Sequence, residues 1–156
     1  MYRKIEDFII EWDVAAAGTL RVLEAMTDEK LNQAIVEGHS TLGWLGWHLA
    51  TAPAFFGGLV GLTLQSGNPK DVPTSANSIV EAYRQIAEDV KTEASKLSEA
   101  ELVAEIDSFK GKTTRGALLR ALIDHQTHHR GQMTVLLRQA GLEVPGVMGP
   151  TKEESN

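Results

Sequence analysis

The stretch Asp124-His125-Gln126-Thr127-His128-His129-Arg130-Gly131-Gln132 carries three of the chain's five histidines, and its reading decides the fold. The run that contains it opens at Thr113 or Thr114, either of which can cap a helix, and closes at Gly141. Residues four apart lie about 40° apart around a helix, so His125 and His129 stack on one face. The same stripe carries Leu118, Leu122, Gln132 and Leu136, which marks it as the core face. His128 falls about 60° to one side of His125, and Arg130 points away.

Two imidazoles aimed into an apolar core pose a physical problem. A neutral ring has a donor and an acceptor to satisfy, and two imidazolium ions side by side repel. A divalent cation resolves this, because the neutral nitrogens become ligands and the remaining N–H groups bond to nearby acceptors. A helical i, i+4 histidine pair is weak evidence alone, since surface clusters and satisfied core histidines have the same spacing. His48 strengthens it. On a second helix it shares a face with Thr41, Trp44, Leu45, Ala52 and Phe55, an apolar face expected to point inward. A lone inward histidine opposite an inward pair completes a tripod. Three histidines and an open position have the form of a catalytic site rather than a closed structural one. His128, Gln132, Trp44 and Phe55 are the expected pocket or supporting residues; His39 reads as a loop or rim residue.

Outward from that run, the first helix spans about Tyr2 to Met26, with Ile5, Phe8, Ile9, Trp12, Ala16, Leu20 and Leu23 at helical spacing. A short turn through Asp28 to Gln33 follows. The second helix starts at Ser40 or Thr41 and reaches about Leu62, with Pro53 predicting a kink or irregularity. Gln65 to Ala76 is a loop by composition, able to reach about 40 Å at roughly 3.3 Å per residue. Ser78-x-x-Glu81 predicts a capping box opening the third helix, which runs to about Leu97. Ser98-x-x-Glu101 repeats the signature for a short turn, and Ile106 to Phe109 reads as briefly extended. The Glu99 to Glu105 run is a solvated face. The class is all-α, and four comparable helices around one core make a four-helix bundle.

The remaining features are exclusions. A chain of 156 residues fits one domain. Having no cysteine, it cannot build a disulfide scaffold, a thiolate zinc site or a cysteine nucleophile. A net charge of −6 with dispersed basic residues argues against nucleic acid as a partner. The apolar stretch Thr41 to Leu64 is rejected as a membrane span, because a central histidine and a helical stripe suit a buried helix better. The charged start Met1-Tyr-Arg-Lys-Ile-Glu-Asp lacks the pattern of a signal peptide, so a cytoplasmic location is expected. No nucleophile-elbow sequence is present, and the absence of Glu-x-x-His on the fourth helix argues against a di-iron carboxylate bundle.

Trp-Leu-Gly-Trp-His-Leu-Ala around His48, His-Gln-Thr-His-His-Arg-Gly-Gln at 125–132, and the following Ala-Gly-Leu-Glu-Val-Pro resemble the DinB/YfiT superfamily over essentially the whole chain. The resemblance implies an up-down-down-up four-helix bundle with a long crossover between helices 2 and 3. Residues 1–144 would form the metal-binding domain and 145–156 an extended C-terminal tail. It further implies a three-histidine site for one divalent ion, usually Zn or Ni, with His48, His125 and His129 in the ligand positions, and a homodimer. Members of that superfamily include thiol S-transferases using bacillithiol or mycothiol and a thiol-dependent isomerase. The expected function is therefore a metal-dependent enzyme that activates a low-molecular-weight thiol or water for attack on a small-molecule substrate. A hydrolase and a non-catalytic metal-binding stress or sensor protein are the alternatives. Fold and site transfer across such a family; substrate does not.

Overall fold

The computed structural model describes residues 1–109 and 111–155, and helices dominate it. The elements are α1 (Ile5–Glu24), α2 (Leu42–Val60), α3 (Ala76–Ala94), a short α4 (Glu99–Val103), strands β1 (Glu105–Ser108) and β2 (Gly111–Thr114), and α5 (Arg115–Gln139). Two 3₁₀ turns, Asp28–Lys30 and Glu153–Ser155, complete the list of described elements. The antiparallel hairpin of β1 and β2 places Ile106 opposite Thr113. The extended reading of Ile106 to Phe109 thus has its counterpart in β1.

Pairwise contacts fix the directions of the four long helices. Lys91 reaches Asp13 while Arg84 reaches Glu24, so α3 runs antiparallel to α1. Gly46 of α2 abuts Ile79 of α3 and Leu23 and Met26 after it at the end of α1. The starts of α2 and α3 therefore lie together, at the far end of α1. Arg115 donates to Val60 O, while Gln126 reaches Leu49 O, which makes α5 antiparallel to α2. Arg120 pairs with Glu11 and Arg130 with Ala15 O, so α5 is parallel to α1. This is the up-down-down-up bundle, with α2 and α3 parallel.

Parallel neighbours need a connection that travels the length of the bundle, and residues 61–75 supply it. The segment retraces α2. Leu64 sits where a Cβ on Gly57 would come within 2.3 Å, and Gly67 lies against the Trp47 ring. Trp47 Nε1 donates to Asn68 O at 2.9 Å. Glycine at 67 is required by its close approach to the rigid Trp47 ring rather than by turn geometry, whereas at 57 the Leu64 side chain would have to shift.

The start of α3 corrects the expected capping box. The helix opens at Ala76, and neither its N-cap Ser75 nor Ser78 caps it with a side chain. Instead Asp28 Oδ1 accepts from Ala76 N at 2.6 Å, across 48 positions of sequence. Asp28→Ala is expected to lower stability by about 1 kcal/mol, a typical cap contribution. Ser78→Ala is expected to leave it unchanged; equal losses in thermal melts of the two variants would contradict this assignment. Local caps match their sequence signals: Thr41 accepts from Trp44 N, Thr114 from Ala117 N, and Ser98 with Glu101 forms a capping box.

Two expectations on α5 are overturned together. Its innermost line is Leu119, Leu122, Gln126, Met133 and Leu137, all nearly inaccessible. That line lies to one side of the histidine stripe. Gln132, expected in the core, is exposed. Arg130, expected to point away, is only 6% exposed, with Nη1 on Ala15 O at 2.9 Å. Wedged between α1 and α2, α5 turns its inner arc toward Gln126 and Arg130, leaving His125 and His129 at the seam with α2.

Candidate metal centre

Gln126 is the layer beneath the histidines. Pro53 lies inside α2 and has no N–H, so the carbonyl four residues before it, Leu49 O, lacks its helical donor. Gln126 Nε2 approaches that carbonyl at 3.5 Å, while Gln126 Oε1 accepts from Tyr83 OH at 2.9 Å and lies 3.4 Å from Thr19 Oγ1. All four long helices meet at this amide, which sits between His125 on its own helix and the segment of α2 that carries His48.

Above it the three histidines converge. One ligand atom from each of His48, His125 and His129 lies within 4.8 Å of the others, and all three side chains are part-buried. His48 Nε2 and His125 Nε2 are 3.0 Å apart. His129 Nδ1 donates to Gln132 Oε1 at 2.7 Å, which leaves its Nε2 with a free lone pair. Trp44 stacks on His48 with ring centroids 4.9 Å apart and planes 10° apart, and the Phe56 ring lies 5.2 Å from His125. His128 stays outside the group on an exposed position, 4.8 Å from the His129 ring centroid.

The electrostatics favour neutral rings. Burial lowers the pKa of His125 to about 4, with the neighbouring His129, His48 and His128 adding to the effect. Burial also lowers His48 and His129, the latter opposed by its bond to Gln132. Neutral imidazole is the form that binds metal. Among the described residues, His125 Nδ1 is buried without a partner, and its Nε2 meets only another imidazole nitrogen. Such a cluster is poorly satisfied by protein alone and fits a divalent ion, whose nitrogen ligands stand about 2.0–2.1 Å away. Among the described residues, no fourth His, Cys, Asp or Glu joins the group.

In the metal-free protein this arrangement ties stability to pH. Unfolded His125 takes up its proton near 6.5, and the folded side chain only near 4. The unfolded state therefore binds more protons between these values, and the His125 share of stability falls as pH drops from 6.5 to 4, levelling below that. His125 contributes at most about 3 kcal/mol of this slope. Denaturant titrations in chelator at pH 7, 6, 5 and 4 should show the decline, and His125→Leu should make it shallower, the shares of His48 and His129 remaining.

The α2 face that bears His48 is inward only in part, with Leu45 and Ala52 buried as expected. Trp44 is 40% exposed and Phe55 59% exposed. They stand at the mouth, where Phe55 and Phe56 also meet Phe109 of the hairpin, each at 6.2 Å. Two openings adjoin this mouth. One of about 560 Å³ is lined by His39, Ser40, Thr41, Trp44, Val72 and Pro73 among others. A smaller one of about 220 Å³ is lined by His39, Ser40, Leu45, Gln132 and Val135 among others. No described helix is long and apolar enough to cross a membrane.

The DinB family model matches residues 1–156. The chain belongs to the DinB family. A DinB-like protein of Bacillus cereus, known from a crystal structure, superposes with a TM-score of 0.86 at 40% identity, covering 94% of this chain and 99% of that one. A second DinB-like crystal structure, YjoA of Bacillus subtilis, gives 0.73 at 23% identity over 93% of this chain and 99% of its own, and speaks for the fold alone. In sequence, the protein described as uncharacterized YrdA of Bacillus subtilis is 39% identical, with 99% of this chain and 93% of the relative covered. The three histidines of this DinB protein could hold a metal ion, since one ligand atom from each lies within 4.8 Å of the others. Reading the sequence missed Gln126, whose signal was present as a polar residue on the buried arc opposite Pro53, and Phe109, which carried no periodic signal.

Proposed function

We propose that this protein is a metal-dependent enzyme in which His48, His125 and His129 hold one divalent ion, zinc or nickel. A low-molecular-weight thiol or water would be activated there for attack on a small electrophile, with thiol S-transferase as the preferred form. The observation that carries this reading is three part-buried histidines from two helices with no fourth described protein ligand beside them. A bound ion supplies Lewis acidity, lowering the pKa of a thiol or water in the open position.

The chain's own residues do the rest. Trp44 and Phe56 hold the His48 and His125 rings, and Gln132 fixes the His129 tautomer. The aromatic mouth of Trp44 and Phe55 offers a surface for an apolar substrate. Among the described residues, no carboxylate joins the histidines to serve as general base. That favours a thiol, whose ordinary pKa of about 8.5 lies far below that of water. A small-molecule substrate and a second copy of the chain are the partners this reading calls for.

The test uses untagged protein of measured metal content, incubated with low-molecular-weight thiols and a broad panel of electrophiles. Metal-dependent thiol consumption that is lost in His48→Ala is expected. Ester or amide hydrolysis without thiol would make the protein a hydrolase. Stoichiometric metal without turnover on any of these would make it a binding protein.

A further inference from the structure

Arg130 projects away from the metal centre, about 100° around α5 from His129 and about 140° from His125. It is a permanently charged side chain, 6% exposed, set between α1 and α5. Its Nη1 donates to Ala15 O at 2.9 Å and Thr19 Oγ1 at 3.2 Å, and Nη2 approaches Thr127 Oγ1 at 3.5 Å. Its Nε has no partner among the described residues, and none of them brings a carboxylate within ion-pair distance. The nearby acids are engaged elsewhere: Glu11 and Asp124 with Arg120, and Glu153 with Arg138. Gly18 lets Val147 close over this part of α1, since a Cβ there would meet the Val147 side chain at 2.8 Å.

The guanidinium also lines two adjoining grooves, each about 340 Å³, which share Thr127, Val147 and Met148. The charge of the guanidinium is offset by no ion pair among the described residues, and the Nε–Nη2 edge of an arginine matches a carboxylate in a two-bond fork. The groove walls argue for what carries the anion. Ile10 and Val14, 64% and 70% exposed, line one groove with Ile123, and Val147 and Met148 line both. A bare phosphate would leave this aliphatic surface in water, whereas a short alkyl chain would cover it.

We infer that the groove between α1 and α5 is a binding site for a small organic carboxylate, its head on the free edge of Arg130 and its alkyl body on Val14, Ile123 and Val147. The site is independent of the metal centre and stands whether or not the three histidines bind metal.

Sodium valerate is the probe, titrated into the full-length protein at constant ionic strength and followed by the arginine Nε–H resonances. Phosphate and chloride serve as comparison anions, and the series is run with and without zinc. A saturable shift of the Arg130 signal by valerate is expected, unchanged by zinc and absent with phosphate or chloride. Arg130→Lys should weaken binding about tenfold by removing the fork. Because that variant can also perturb the core, Val14→Glu decides independently: it changes an exposed side chain and places a negative charge at the mouth. It should fold normally and weaken valerate by about tenfold. A shift that does not saturate, an equal response to chloride, or valerate affinity unaltered in Val14→Glu overturns the assignment.

Discussion

Replacing His125 with alanine is expected to lower zinc affinity by at least about a hundredfold, since even changing a partner that merely orients a ligand costs 10–100-fold. The effect on stability should depend on the metal. At a thousandfold excess of zinc over its dissociation constant, binding stabilises the wild-type protein by about 4 kcal/mol. For a chain of this length that is roughly 10 °C in melting temperature, and it should disappear with His125. Without metal the sign changes. His125 then contributes a buried Nδ1 with no partner among the described residues and an imidazole contact to His48 at 3.0 Å. His125→Leu removes both and fills similar space against Phe56, so the metal-free variant should be at least as stable as the wild type. Chelator competition measures the first effect and calorimetry with and without zinc the second. Zinc affinity retained in His125→Ala, or a metal-free His125→Leu much less stable than wild type, would mean that the cluster is a structural polar core and not a metal centre.

What was legible in the sequence divides by the range of the interaction. Ser98 with Glu101, Thr41 and Thr114 cap helices through residues three positions away, and their spacing gives them away. The start of α3 was misread because its cap comes from Asp28, on a turn 48 residues earlier. No local pattern encodes that. The histidine stripe of α5 was visible from periodicity, and its meeting with His48 follows once α2 and α5 run antiparallel. Periodicity gives a face, however, and not which way the face is turned. A rotation of α5 toward α1 exposes Gln132, buries Arg130 and moves the histidines from the centre to a seam. The same ambiguity hid the exposure of Trp44 and Phe55: α2 is apolar nearly all round, so its sequence does not distinguish the rim of a site from its core.

Gln126→Leu is expected to destabilise the protein by about 3 kcal/mol and, separately, to weaken metal binding. Three groups lose their partner at once: Tyr83 OH on α3, Thr19 Oγ1 on α1, and the Leu49 carbonyl left bare by Pro53 on α2. A buried polar group deprived of its partner costs about 1–3 kcal/mol, but Thr19 keeps its bond to Ala15 O, so the full sum is not reached. Tyr83 supplies the internal check. It is fully buried, and burial holds its hydroxyl protonated, so the proton must find an acceptor. Tyr83→Phe on the Gln126→Leu background should recover part of the lost stability, although Tyr83→Phe alone destabilises. Replacing both partners by apolar groups removes the orphan that either single change creates. Metal affinity tells the two roles of the amide apart. If Gln126 merely stabilises the core, the double variant regains stability and binds zinc like the wild type. If its reach to Leu49 O sets the register of α2 against α5, the pair of ridges carrying His48 and His125 is loosened. Zinc affinity then stays about tenfold below wild type even in the recovered double variant. We expect the second outcome, because Leu49 adjoins His48 and Gln126 adjoins His125, so the bond between them holds together the two backbones that bring the ligands into reach.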